Sequence, residues 1–195
     1  MTASPKILAF AGSARKESYN KKMVRIAAAG ARAAGAEVTV MEMEQFRLPL
    51  FDQDEEAEHG LPENGRKIKD LMLAHQGFLI AAPEYNSSIT PLLKNTIDWA
   101  SRPVPGEPPL ACFAGKVAVV MSASPGALGG LRGLVHLRAI LGNIGTLVLT
   151  ETYSISRAMD AFDPAGSLKD PGQQAVVEQL GTALSEMVRR LQAGR

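Results

Sequence analysis

Five short apolar runs, each followed by a segment whose apolar residues repeat at helical spacing, constrain the fold of this chain most. The runs cover residues 6–11, 37–41, 77–82, 117–121 and 145–150. Runs of this length, bounded by glycine, proline or polar residues, are typical of strands buried in a parallel sheet. Strands that alternate with helices are joined by right-handed crossovers. The sequence therefore predicts a doubly wound α/β fold, with residues 1–195 forming one domain.

The helices are predicted from apolar residues spaced three and four apart. The first carries apolar positions from Met23 to Ala34, and the others are expected at residues 64–75, 90–100, 131–141 and 173–192. The acidic stretch 52–59 has no apolar period, so we predict a surface loop there. A proline-rich segment at residues 103–109 predicts an irregular excursion over the surface.

Charge and cysteine content exclude several classes of function. A net charge of +1 does not indicate a nucleic-acid-binding surface. One cysteine and three widely spaced histidines provide neither an internal disulfide nor the paired ligands of a metal site. No signal peptide is recognised, and no apolar run reaches the roughly 18 residues that span a bilayer. We therefore expect a soluble cytoplasmic protein without a metal.

Three polar or glycine-rich loops follow the first, third and fourth predicted strands, at residues 12–20, 83–88 and 122–130. Ligands of open parallel sheets bind outside the carboxyl ends of the strands, where the strand order reverses. We therefore expect these three loops to converge on one ligand.

The first loop has the chemistry of a phosphate site. Gly12 permits a tight turn, and the start of the next helix offers free N–H groups and a positive dipole end. Ser13, Ser18 and Asn20 add short polar side chains, and Arg15 adds a two-pronged donor. The alternative is an ordinary helix start, with Ser18 or Asn20 as N-cap and Arg15 on the surface.

The other two loops suit a planar heterocycle. In the second, Tyr85 provides a flat ring beside groups that can donate and accept hydrogen bonds. The glycines of the third loop would let the backbone approach a ligand closely. The alternatives are a simple turn before the next helix and a flexible connection.

Two motifs in these loops carry a family resemblance. They read Gly12-Ser13-x-Arg15-x-x-Ser18-x-Asn20 and Pro83-Glu84-Tyr85-Asn86, the second continuing into Leu93-Lys94-Asn95-x-x-Asp98-Trp99. With them the whole chain resembles the NADPH-dependent FMN reductases, which include bacterial chromate and quinone reductases. The resemblance implies a flavodoxin-like fold, with a five-stranded parallel sheet in the order 2-1-3-4-5 and helices on both faces.

The resemblance also implies non-covalently bound FMN and assigns residues to it. The implied cofactor-binding residues are Gly12, Ser13, Arg15, Ser18, Tyr19, Asn20, Pro83, Glu84, Tyr85, Asn86, Ser122, Ser124 and Gly126. Within this set, four side chains would hold the phosphate: Ser13, Arg15, Ser18 and Asn20. Residues 83–86 would line the isoalloxazine, largely by backbone contacts, and the last three would lie near the ribityl chain and the ring.

The implied activity is a two-electron transfer from NADPH or NADH, through FMN, to a quinone, a free flavin, an azo compound or a metal oxyanion such as chromate. No catalytic acid or base is expected from the chain, because the cofactor carries the chemistry. The expected assembly is a homodimer or homotetramer, with no nucleic-acid or membrane partner. Two alternatives stay open: a flavodoxin-type electron carrier, which the near-neutral charge disfavours, and a flavin-free binding protein on the same fold.

Overall fold

A five-stranded parallel sheet forms the centre of the computed structural model, which describes residues 3–194. Its strands are β1 (Lys6–Ala11), β2 (Glu37–Met41), β3 (Gly77–Ala81), β6 (Val117–Ala123) and β7 (Leu147–Ile155). A separate two-stranded hairpin consists of β4 (Glu84–Tyr85) and β5 (Ser88–Ile89). The order in the sheet is β2-β1-β3-β6-β7. With the hairpin set aside, this is the predicted order 2-1-3-4-5, which is confirmed.

Helices cover both faces of the sheet. They are α1 (Tyr19–Ala33), α2 (Gln53–His59), α3 (Glu63–Ala74), α4 (Pro91–Ala100), α5 (Leu131–Asn143), α6 (Ala158–Ala161) and α7 (Pro171–Ala193). A short 3₁₀ turn, Met43–Gln45, follows β2. Between residues 3 and 194, none of the helices has the length and apolarity needed to cross a bilayer.

The alternation of side chains along β1 explains the two faces. Ile7, Ala9 and Ala11 pack in one apolar cluster with residues of α1 and α7. Leu8 and Phe10 point the other way and pack with residues of α3, α4 and α5. Because successive strand residues face opposite sides, a strand covered on both sides has to be apolar throughout. This is why the strands could be predicted from uninterrupted apolar runs.

The prediction of a loop at the acidic stretch 52–59 is wrong, since residues 53–59 form the helix α2. The Asp52 side chain caps this helix by accepting a hydrogen bond from the Asp54 N–H at 2.8 Å. Acidic residues in the first turn are favourable at the positive end of the helix dipole. No residue of α2 is buried, which explains the missing apolar period. An ion pair between Glu56 of this helix and Arg102, just after α4, holds the helix in place, with Arg102 Nε and Glu56 Oε1 2.7 Å apart.

Two strands extend beyond their predicted ends at Met121 and Thr150. β6 continues through Ser122, which is fully buried and donates its hydroxyl to the Ala82 carbonyl at 2.7 Å. β7 runs to Ile155 through polar residues, and its pairing with β6 shifts register between Ala118 and Val120. Because both extensions contain polar residues, a prediction based on apolar runs did not include them.

Candidate functional site

The three predicted loops meet at the carboxyl edge of the sheet, where they surround an open cavity of about 350 Å³. Nine of the predicted residues line it together with Ala123 and Pro125: Ser13, Arg15, Ser18, Tyr19, Asn20, Pro83, Glu84, Tyr85 and Ser124. Gly12 lines a second cavity of about 260 Å³, which shares three residues with the first: Ser13, Arg15 and Tyr85. Asn86, Ser122 and Gly126 line neither cavity.

The first loop is held between two neighbouring segments. The Gly12 N–H donates to the Ala81 carbonyl at 2.9 Å, and the Thr90 hydroxyl donates to the Gly12 carbonyl at 2.7 Å. A side chain at Gly12 would meet the Leu93 side chain at 2.9 Å. Thr90 was not among the predicted residues, although a threonine before a proline at a helix start signals an N-cap.

The helix that follows this loop starts without a side-chain cap. Ser18 occupies the N-cap position and is 3% exposed, but its side chain makes no capping hydrogen bond. By contrast, Thr90 and Asp170 cap α4 and α7 by accepting backbone N–H groups. The first turn of α1 also contains no acidic residue. The ordinary-cap alternative is therefore not realised at Ser18, and the positive end of α1 is available to an anion.

Arg15 lines this cavity. Its guanidinium carbon lies 5.3 Å from the centre of the Tyr19 ring. No carboxylate between residues 3 and 194 forms an ion pair with it. An exposed arginine whose N–H groups have no anionic partner can bind two oxygens of a phosphate.

Asn20 joins the first loop to the third. Its side chain is 3% exposed, and its amide donates to the Ala123 carbonyl at 2.8 Å. The Ala123 N–H in turn donates to the Asn20 side-chain oxygen at 3.0 Å. A primary amide has two N–H groups and one oxygen. The oxygen and one N–H are thus engaged with β6, so the side chain chiefly fixes the spacing of the two loops.

The second loop is a β-hairpin rather than a simple turn. Its tip is formed by Asn86 and Ser87, which have positive φ values of 49° and 66°, as tight hairpin turns require. The Tyr85 side chain is 60% exposed at the edge of both cavities. His136 of α5 holds the other strand, with its Nδ1 2.9 Å from the Ser88 hydroxyl.

Glu84 attaches this hairpin to the start of α5. Its carboxylate accepts from the Gly133 N–H at 3.1 Å and from Arg132 Nη2 at 2.7 Å. Burial alone would raise the pKa of Glu84, but the hydrogen bonds from Gly133 and Arg132 and the Arg132 charge outweigh it. The pKa of Glu84 consequently lies below its ordinary value.

We expect the free energy of unfolding of Glu84→Gln to fall less between neutral and acid pH than that of the wild type. A carboxylate whose pKa is lower in the folded chain stabilises the fold above its unfolded pKa of 4.5, and this stabilisation disappears as pH falls through the folded pKa. Urea unfolding measured from about pH 3 to about pH 7 would show this, with wild type and variant differing most at neutral pH. A difference that stays constant with pH would contradict the prediction.

The third loop is fixed to the end of β7. The Ser124 N–H donates to the Ile155 carbonyl at 3.0 Å, and the Gly126 N–H donates to the Ser124 hydroxyl at 3.2 Å. Gly129 and Gly130 have φ values of 62° and 92°, in the left-handed region that favours glycine. Because a side chain at Gly130 would overlap the Ser122 hydroxyl, a glycine is required at this turn. This loop is a tight, anchored connection rather than a flexible one.

Comparison with known proteins identifies the family of the chain. Residues 5–160 match the family described as NADPH-dependent FMN reductase. An NAD(P)H-dependent FMN reductase of Pseudomonas aeruginosa is 35% identical over 192 residues, which are 98% of this chain and 99% of that protein. A quinone reductase of Escherichia coli is 30% identical over 194 residues, which are 98% of this chain and 99% of that protein.

A solved structure with a similar fold is a flavoenzyme NAD(P)H:(acceptor) oxidoreductase from Paracoccus denitrificans. It superimposes with a TM-score of 0.78 at 26% identity, over 95% of this chain and 98% of the other. The predicted flavodoxin-like fold, oxidoreductase class, FMN cofactor and NAD(P)H donor are confirmed. The chain belongs to the NADPH-dependent FMN reductase family.

Proposed function

We propose that this chain holds FMN in the 350 Å³ cavity and passes electrons from NAD(P)H to a quinone. The observation that carries the proposal is that one cavity is lined both by an uncapped helix start and by Arg15, which forms no ion pair with a carboxylate between residues 3 and 194. A phosphate monoester carries up to two negative charges. The α1 dipole and the Arg15 charge would stabilise it together, with Ser13 and Ser18 as neutral donors.

The ring of FMN is proposed to lie at the other end of the cavity, toward the hairpin and the third loop. Residues 83–85 of the hairpin and 123–125 of the third loop line this same cavity, and the hairpin offers backbone groups and the Tyr85 ring. When bound, FMN supplies the hydride and electron transfer. The role of the protein is to orient the cofactor and to leave one side of it accessible to substrates.

No lining side chain is proposed to act as catalytic acid or base. Among the residues that the structure describes, Glu84 is the one carboxylate that lines the cavity, and it is bound to Arg132 and the Gly133 N–H. A carboxylate held in this way positions the hairpin, and its lowered pKa makes it a weak base. Proton transfer to the reduced acceptor is therefore assigned to solvent.

A quinone is proposed as acceptor because the adjoining 260 Å³ cavity offers an apolar wall. Pro91 and Leu92 line it beside Tyr85, which also borders the FMN cavity. A flat, largely apolar quinone ring in this cavity would contact both the apolar wall and Tyr85. Relatives with quinone reductase activity support the same choice. Free flavins, azo compounds and chromate are the other acceptors to be compared.

Anaerobic titration tests the function. Purified protein loaded with FMN and desalted should retain a yellow chromophore, and NADPH or NADH should bleach it. Steady-state oxidation of the nicotinamide should then accelerate on addition of a quinone. A colourless desalted protein would overturn the FMN site, and a retained flavin that neither nicotinamide bleaches would favour the electron-carrier alternative.

A homodimer or homotetramer is also proposed. Support comes from large apolar side chains exposed at and before the start of α5: Leu128, Leu131 and Val135 are 52%, 48% and 62% exposed. Apolar residues grouped in this way are typical of association surfaces. Sedimentation equilibrium at micromolar concentration tests the proposal, and a monomer mass would contradict it.

A further inference from the structure

Arg15 is the end of a stack of three planar groups. Its guanidinium carbon lies over the Tyr19 ring, 5.3 Å from the ring centre, and the Tyr19 ring stacks on Phe162, with ring centres 5.9 Å apart and planes inclined by 12°. Phe162 lies more than 140 positions along the chain from the phosphate loop, in the segment between α6 and α7. Neither the motifs nor the family resemblance point to it.

The base of this stack is buried and held by backbone contacts. Phe162 is 7% exposed and forms an isolated antiparallel bridge with Leu168. The Leu168 N–H donates to the Gln174 side chain at the start of α7, at 3.0 Å. The Lys169 N–H donates to the Ala161 carbonyl at 2.9 Å. Residues 161–169 therefore form a closed turn that is attached to α7.

Stacking and phosphate binding use different parts of a guanidinium. Attraction to an aromatic ring acts through the charge and the face of a guanidinium, while its N–H donors lie in its own plane. A stacked arginine can thus bind a phosphate without leaving the ring. Because a free arginine side chain samples many rotamers, holding it before the ligand arrives lowers the entropic cost of binding.

We propose that the stack of Phe162, Tyr19 and Arg15 positions the arginine for the FMN phosphate, so that the segment after α6 supports the cofactor site without lining its cavity. The inference rests on the proposed FMN site. In it Phe162 acts through Tyr19 and Arg15, and Tyr19, which also lines the cavity, positions Arg15.

The experiment is a double-mutant cycle on FMN affinity. Tyr19→Leu should raise the dissociation constant about five- to tenfold, since both the ring contact and the order of Arg15 are lost. In an Arg15→Ala background the same change should raise it by a clearly smaller factor, because only the cavity contact of Tyr19 is then lost. Tyr19→Phe, which keeps the ring, should stay within about twofold of wild type. Phe162→Leu keeps an apolar side chain against Tyr19, so it should raise the dissociation constant by a smaller factor than Tyr19→Leu.

A matched control removes a different ring from under a different arginine. Arg102 lies 5.2 Å from the centre of the Phe51 ring, outside the cavity. Phe51→Leu should leave FMN affinity unchanged. Thermal unfolding of each variant shows whether it folds; if Tyr19→Leu does not, Phe162→Leu in both Arg15 backgrounds decides the question.

A second readout needs no flavin. In the apoprotein, ¹⁵N relaxation of the Arg15 Nε–H group should report restricted motion in wild type and Tyr19→Phe, and free motion in Tyr19→Leu. Free motion of Arg15 in wild type, or equal effects of Tyr19→Leu in both Arg15 backgrounds, would overturn the proposal. If FMN did not bind at all, the proposed function would fail, and the relaxation data would still decide whether the stack orders Arg15.

Discussion

Arg15→Ala is expected to weaken FMN binding by about 1.5–3 kcal/mol, a rise of roughly 10- to 150-fold in the dissociation constant. The magnitude is that of a hydrogen bond to a charged group. No carboxylate in the described part of the chain, residues 3–194, would be left unpaired, and Arg15 is exposed. The loss therefore reports the contact with the ligand rather than damage to the fold. Quenching of FMN fluorescence on titration with apoprotein measures it.

Riboflavin provides the decisive control for this prediction, because it has the same ring and ribityl chain without the phosphate. Arg15→Ala should leave its affinity nearly unchanged, and Arg15→Lys should recover part of the FMN affinity, since it keeps the charge but not the fork of donors. Arg102→Ala removes an arginine that lies over another ring, and it should change the affinity for neither FMN nor riboflavin. Equal losses for FMN and riboflavin would place Arg15 away from the phosphate.

The sheet was predictable from sequence because its strands are buried on both faces, which leaves uninterrupted apolar runs at Ile7–Ala11 and 77–81. The convergence of the three loops at one edge of the sheet was predictable from the strand order alone. Nine of the proposed cofactor residues line one cavity for that reason. The acidic helix α2 was missed because its stability comes from a cap and from charges, with no buried residue.

Side-chain connections at the site could not be predicted, since they depend on contacts between residues distant in sequence. Asn20 was expected at the phosphate, and its amide bonds with Ala123, 103 positions away. Glu84 was expected beside the flavin ring, and its carboxylate is bound to α5. Polar residues near a ligand can thus position the loops instead of touching the ligand, and no sequence pattern separates the two roles.

Gly181→Ala is expected to lower the free energy of unfolding by about 2–3 kcal/mol. Gly181 and Gly30 lie where α7 crosses α1, and the Thr182 hydroxyl donates to the Gly30 carbonyl at 3.3 Å. A methyl group at Gly181 would overlap the Ala27 carbonyl and come within 2.6 Å of the Ala31 nitrogen. Because these are backbone atoms, neither can swing aside, and the helices have to separate. The gain in helix propensity, about 0.5–1 kcal/mol, offsets only part of this cost.

Gly142→Ala is the matched control, since Gly142 also lies in a helix and a side chain there would meet nothing within 4 Å. It should leave stability unchanged or raise it slightly. Thermal unfolding should separate the two variants, with Gly181→Ala melting roughly 5–10 °C below wild type. Because α1 begins at the phosphate loop, helix separation should also weaken FMN binding, whereas Gly142→Ala should not. Equal melting temperatures for the two variants would show that α1 and α7 can adjust without cost.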